Sequence, residues 1–145
     1  MNSEYRSNCP ISSALELIGD KWSLLIIRDM LFFHKKTFKD FSTSEEGIAT
    51  NILSTRLKFL VKNKIIIKTK QEGNQKSNIY LLAEKGIRLL PLMAEITLWS
   101  DENIRELNPS MIKEDYINLR INKQSFLEAI KQEYLKNITK NMYQK

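Results

Sequence analysis

The sequence predicts a mainly helical α+β fold that carries one small β-ribbon. Apolar residues recur at helical spacing through most of the 145 residues, and the β-branched run Ile65-Ile66-Ile67 interrupts that pattern. A polar turn around Gly73 then separates this run from a second strand-like segment. The length fits one domain, or one domain with an added helical element, and 42% apolar residues suffice for a real core.

Residues 1–9 read as irregular. Pro10 suits a first helical position, with Ile11, Ala14, Leu15 and Ile18 predicted on one face and Gly19 ending the helix. Asp20 is placed to cap a second helix, Lys21 to about Phe33. That helix is densely apolar (Trp22, Leu24, Leu25, Ile26, Ile27, Met30, Leu31) and is expected to cross the centre of the core. Thr37 to Phe41 gives a short helical piece, and the polar turn Ser42 to Gly47 leads to a third helix near Ala49 to Asn63. Ile65 to Ile67 is the first strand, Glu72-Gly73-Asn74-Gln75 the turn, and Ser77 to Leu82 the return strand. A long helix is expected from about Ala83 to Leu107, with Leu89, Leu92, Met93, Ile96 and Trp99 on one stripe. Pro91 inside it lacks a backbone donor and should bend or reset it. Asn108-Pro109-Ser110 breaks the chain, and the tail is again helical, best seen in Phe126, Leu127, Ile130, Tyr134 and Ile138. The expected division is a domain over residues 1–100, its long helix running to about 107, and a helical extension over 108–145. The order helix, helix, helix-turn-helix, ribbon, long helix is that of a winged helix-turn-helix, with extra C-terminal helices.

Charge narrows the function. The net charge is +6, and residues 50–80 carry seven cations (Arg56, Lys58, Lys62, Lys64, Lys68, Lys70, Lys76) against one acid, Glu72. The other 114 residues balance, so the whole excess lies on the third helix and the ribbon. A localised cationic segment attracts polyanions, nucleic acid before anionic membrane. There is no apolar run of about 18 residues, which argues against a membrane span. Residues 1–6 lack the apolar core of a secretory signal, and the single cysteine, Cys9, suits a reducing compartment; the expected location is the cytoplasm. Catalysis finds no support: His34 is the only histidine, and no Gly-rich phosphate loop appears among the four glycines. No cofactor or metal is expected.

On the third helix, Ile52, Leu53, Leu57, Leu60 and Val61 fall on one side at about 100° per residue, and Asn51, Ser54, Thr55, Lys58 and Lys62 on a separate arc. That arc holds only hydrogen-bonding or cationic groups. Major-groove reading needs short amide and hydroxyl side chains at base edges and longer cations at phosphates. Asn51 suits adenine, Ser54 and Thr55 suit several bases, and Lys58 and Lys62 suit the backbone; Thr50, at the start of the helix, joins the candidate set. Arg56 projects onto the apolar side, where pairing with a buried acid competes with reaching a phosphate. The ribbon adds Lys68, Lys70, Gln75 and Lys76 for the DNA backbone or minor groove. Lys35, Lys36 and Lys39 are weaker candidates, offset by Asp40, Glu45 and Glu46.

Several segments together resemble the HxlR-type family of bacterial winged-helix regulators: Cys9-Pro10, Ile18-Gly19-Asp20-Lys21-Trp22, Leu25-Ile26-Ile27-Arg28, Phe38-Lys39-Asp40-Phe41, Gly47-Ile48, Leu53-Ser54, Arg56-Leu57-Lys58-Phe59-Leu60, Tyr80 to Gly86, Leu90-Pro91 and Trp99. The resemblance spans about residues 9–100. It implies a homodimer built on the N-terminal and long helices, with two reading helices on a palindromic duplex operator, and Cys9 as a sensor of oxidants or other small effectors. The chain departs from the family pattern at Ala49, where a capping polar residue is usual, and at Ala83, where Thr is usual. It also departs at Asn63-Lys64, which replaces an acidic-Gly turn. A winged-helix protein-interaction module without DNA binding and an RNA-binding wing are the alternatives.

Overall fold

A computed structural model of the chain describes residues 5–112 and 116–143, with side chains as far as Lys140. Among the described residues it shows helices and one two-stranded antiparallel sheet. The chain divides between Gly86 and Ile87 into two compact units.

The first unit begins with α1 (Pro10–Ile18), which has proline at its start and is closed by the Gly19 N–H donating to the Leu15 carbonyl at 2.9 Å. On the predicted apolar face Ile18 is buried, but Ile11 is 71% exposed, and Ala14 and Leu15 are exposed too. Helix α2 (Ser23–Phe33) starts two residues later than expected. Asp20 nevertheless caps it, accepting from the N–H groups of Trp22 (2.9 Å) and Ser23 (3.0 Å). Ile26, Ile27, Met30 and Leu31 are buried, as a helix through the core centre requires. Helix α3 (Phe38–Ser42) opens on a capping box, in which Thr37 Oγ1 accepts from the Asp40 N–H and Asp40 Oδ2 from the Thr37 N–H.

Helix α4 (Thr50–Lys62) buries Leu53, Leu57 and Leu60. Lys64 then takes a left-handed conformation (φ 58°), the Ile65 N–H donates to the Leu60 carbonyl, and the chain turns directly into the sheet. Strands β1 (Ile66–Gln71) and β2 (Asn74–Leu82) are longer than expected, because the turn is only Glu72-Gly73, with Gly73 at φ 76°. Asn74 and Gln75, expected in that turn, belong to β2. Register runs from Ile66↔Leu82 to Lys70↔Asn78 and then shifts to Gln71↔Asn74, so residues 75–77 stand opposite no residue of β1. At its base the ribbon is tied in twice. The Tyr80 N–H donates to the Lys36 carbonyl at 2.7 Å, and the Tyr80 ring meets Phe41 edge to face. A Cβ on Gly86 would lie 2.4 Å from the Ile65 carbonyl oxygen, so only glycine permits this close approach.

The expected long helix is corrected to two. Helix α5 (Glu84–Ile87) ends in a turn at Arg88-Leu89, and α6 (Leu90–Asn103) restarts there. Pro91 sits in the first turn of α6, where its missing N–H costs no helical bond. The apolar residues of α6 divide by burial. Helix α6 buries Leu90, Met93, Ala94 and Leu98, while Leu92, Ile96 and Trp99 are exposed. In the second unit, α7 (Ile117–Ile121) and α8 (Lys123–Tyr143) follow. Ala94, Leu98 and Leu119 form a small core flanked by Tyr116 and Leu127. Arg120 pairs with Asp101 and Glu102, and Lys123 with Glu95. No helix among the described residues is long and apolar enough to cross a membrane.

Candidate nucleic-acid interface

The 3.6-residue period of α4 separates its two faces. With Leu53, Leu57 and Leu60 packed inward, Thr50, Asn51, Thr55, Lys58 and Lys62 are exposed and Ser54 is half-buried. Ile52, expected inward, lies at the boundary, 38% exposed. The Thr55 hydroxyl donates to the Asn51 carbonyl at 2.9 Å, so it faces outward as an acceptor. No acid lies on this face.

Strand alternation puts Lys68 and Lys70 on the same side of β1 as buried Ile66. Lys68 pairs in register with Tyr80. The consequence is an open groove of about 370 Å³ lined by Phe38, Ser54, Lys58, Val61, Lys62, Lys68 and Tyr80. The helix edge and the ribbon therefore flank one outward-facing channel. Among the described residues, Lys58, Lys62 and Lys68 form no ion pair, so their charge is unspent. Lys70 Nζ donates to Asn78 Oδ1 at 2.7 Å across the strands. Gln75 and Lys76 are exposed in the irregular stretch near the tip, where the Lys76 N–H donates to Asn74 Oδ1.

Arg56 is engaged within the chain. Its guanidinium lies 3.3 Å from Asp20 and 4.6 Å from the centre of the Phe59 ring. Burial pushes the Asp20 carboxyl up, but hydrogen bonds from the Ser23 hydroxyl and the Trp22 and Ser23 N–H groups, with the Arg56 charge, hold it below its ordinary value. Of the weaker candidates, Lys35 is committed to Asp29 and Ser44 (3.1 Å each), while Lys39 is exposed.

A second polar cluster escaped the sequence reading. Asp29, 1% exposed within an apolar helix, accepts from Arg28 Nε (3.0 Å), Arg28 Nη2 (2.7 Å), Lys35 Nζ (3.1 Å) and the Ser44 hydroxyl. Arg28 also forks onto Glu46 at 2.5 and 3.0 Å. That pairing lowers the Glu46 pKa to about 2 and raises that of Arg28. The only signal in the sequence was the pair Arg28-Asp29 in the middle of a mostly apolar helix; beyond Arg28, the partners of Asp29 lie 6 and 15 residues away, and Glu46 lies 18 from Arg28.

Cys9 is exposed at the N-cap of α1, where its carbonyl accepts from the Ser13 N–H and hydroxyl. No group of three or more His, Cys, Asp or Glu side chains that could hold a metal ion occurs among the described residues.

Residues 17–108 match the HxlR-like helix-turn-helix family model. The chain is 34% identical over 95 residues to the HTH-type transcriptional regulator YodB of Bacillus subtilis, an alignment covering 65% of this chain and 84% of YodB. Among solved structures it is similar to PA1607 (TM-score 0.62, 36% identity, 68% of this chain and 67% of that one). It is also similar to YodB of B. subtilis in its reduced form (TM-score 0.56, 32% identity, 67% and 95%) and quinone-bound form (TM-score 0.54, 31% identity, 65% and 98%).

Proposed function

The chain belongs to the HxlR-like helix-turn-helix family of transcription regulators, a family of regulators rather than enzymes, and from that membership we propose that it is a dimeric protein of the cytoplasm that reads a specific, palindromic duplex operator. The observation that carries this reading is the shared groove, in which an acid-free helix edge and the lysines of the ribbon face outward side by side. Thr50, Asn51, Ser54 and Thr55, on the first two turns of α4, are short enough for base edges in the major groove. Lys58 and Lys62, further along, hold phosphates, and Lys68, Lys70, Gln75 and Lys76 lay the ribbon along the backbone or minor groove. Arg56 serves chiefly as an anchor for α4 through Asp20. The exposed apolar faces of α1 and α6 are what a homodimer would cover.

Operator selection from random duplex pools, followed by a salt series, tests the reading. A specific reader gives a selected duplex preferred over random duplex by a factor on the order of 10³ or more, with affinity falling steeply as salt rises. Equal affinity for selected and random duplex would leave a protein-interaction module, and preference for RNA would leave an RNA-binding wing.

A responsive element at Cys9 is favoured by one observation: the thiol is exposed at a helix start. The relative YodB has been solved with a quinone bound. Addition of the Cys9 thiolate to an electrophilic ring carbon, with a proton taken from water, would link operator release to electrophile exposure. An intersubunit Cys9–Cys9 disulfide, formed when an oxidant removes two electrons, is the other form. A Cys9→Ser variant whose operator release by a quinone equals wild type would end this reading.

A further inference from the structure

Helix α4 starts without a local side-chain cap. Its N-cap is Ala49, which offers no side-chain acceptor, and the first turn contains no acid. Of the stretch between Phe41 and the cap, only Ile48 is buried. Between buried Phe41 and buried Ile48 the chain is polar, Thr43, Glu45, Glu46 and Gly47 are exposed, and Gly47 is left-handed (φ 67°). Within this turn, the side chains fixed to α2 are Ser44 and Glu46. Ser44 reaches the buried Asp29 carboxylate, and Glu46 meets the Arg28 fork. Both anchors converge on adjacent residues of α2, and Lys35 closes the set by donating to Asp29 Oδ2 and to the Ser44 oxygen. A guanidinium held on one edge by Asp29 and on the other by Glu46 has little freedom to turn, so the pairing fixes direction as well as distance.

We propose that the cluster Arg28–Asp29–Lys35–Ser44–Glu46 replaces the missing helix cap: by pinning the turn to α2 it sets the first turn of α4 and so positions Asn51 for base reading. The base-reading half rests on the function proposed above; the pinning half concerns the protein alone. Arg28, Ser44 and Glu46 are positioning residues, since they act on Asn51 through the backbone of residues 47–50. Ala49 at the cap and the α2 anchors then form one compensating pair, an absent local device and a present long-range one.

The pair predicts a rescue by a local cap. In the DNA-free protein, Glu46→Gln should speed amide exchange at Leu53, Ser54 and Thr55, whose N–H groups close the first turn, by about fivefold, the value of one cap. Arg28→Lys, which keeps the charge but loses the fork, should act in the same direction. Adding Ala49→Ser to Glu46→Gln supplies the missing acceptor and should return exchange towards wild type. On DNA, Glu46→Gln should lower the preference for the selected operator over random duplex by a similar factor of about five, with random-duplex affinity within about twofold, and Ala49→Ser should restore the preference. Unchanged exchange in Glu46→Gln, or a double variant as fast as the single one, would overturn the pinning. Exchange that responds while operator preference does not would overturn the positioning of Asn51. A wild-type protein with no operator preference at all would sink the DNA reading itself, and the exchange experiment would still decide the pinning.

Discussion

Asn51 and Thr55 stand one turn apart on the exposed edge of α4, while Lys58 and Lys62 follow towards its C-terminal end. Length and chemistry divide their work. An amide can pair bidentately with a base edge, worth about 1–3 kcal/mol of discrimination, whereas an ammonium on a flexible stem meets any phosphate equally. Asn51→Ala is therefore expected to lower operator preference by roughly tenfold while leaving random-duplex affinity nearly unchanged. Lys58→Ala and Lys76→Ala should weaken operator and random duplex alike, each flattening the log–log salt slope by about one. Binding titrations of the three variants on both duplexes at several salt concentrations check this division; equal loss of preference in all three would refute it. At this scale the sequence was informative where neighbours decide and silent where distant residues do. The outward edge follows from helical period alone. The Asp29 cluster depends on pairs up to 18 residues apart, and no local pattern joins Arg28 to Glu46.

The link from α4 to β1 shows the same division among elements. Helix, strand and ribbon could be read because Ile65 to Ile67 is β-branched and Gly73 marks the turn, yet the length of the ribbon could not. Lys70 and Gln71 have no apolar partner to announce a strand, and they are held in it by cross-strand pairing. The break at Arg88-Leu89 was only half visible. Pro91 signals a reset, but proline is compatible both with a bend inside a helix and with the first turn of a new one. Lys64 carries a cost the sequence could not show, because it turns the chain at φ 58°, a region disfavoured for side chains by about 1–2 kcal/mol. Glycine relieves that strain but adds about 0.5–1 kcal/mol of unfolded-state entropy. Lys64→Gly should therefore stabilise the protein by roughly 0.5 kcal/mol, raising Tm by about 2 °C. Thermal unfolding of Lys64→Gly beside Lys64→Ala separates the two effects, since alanine removes the same charge without relieving φ. A glycine variant no more stable than the alanine one would show that the turn is unstrained.

For the whole molecule, the informative mismatch is between apolar pattern and burial. Ile11 and Leu15 on α1, and Leu92, Ile96 and Trp99 on α6, lie on the apolar faces that periodicity predicts, and they are exposed in the single chain. Periodicity reports that a face is apolar; it does not report whether the covering surface comes from the same chain or from another. Trp99 is 58% exposed and sits with Leu92 and Ile96 at spacings of four and three, one continuous stripe on α6. Burying such side chains is worth roughly 1.5–3 kcal/mol each, enough across a symmetric pair of faces to hold a dimer. The wild-type protein should thus sediment at about twice the 17.0 kDa mass of one chain. Ile96→Glu with Trp99→Glu places two carboxylates on each copy of the stripe, opposite like charges from the partner. The variant should sediment as a monomer with a far-UV spectrum close to wild type, because neither side chain is buried in the single chain. Its affinity for a palindromic operator should fall by a factor on the order of 10² or more, since each half-site must then be bound independently. Its affinity for an isolated half-site should not change. A variant that remains dimeric would move the interface off α6, and a monomer that kept full operator affinity would mean that one reading helix suffices.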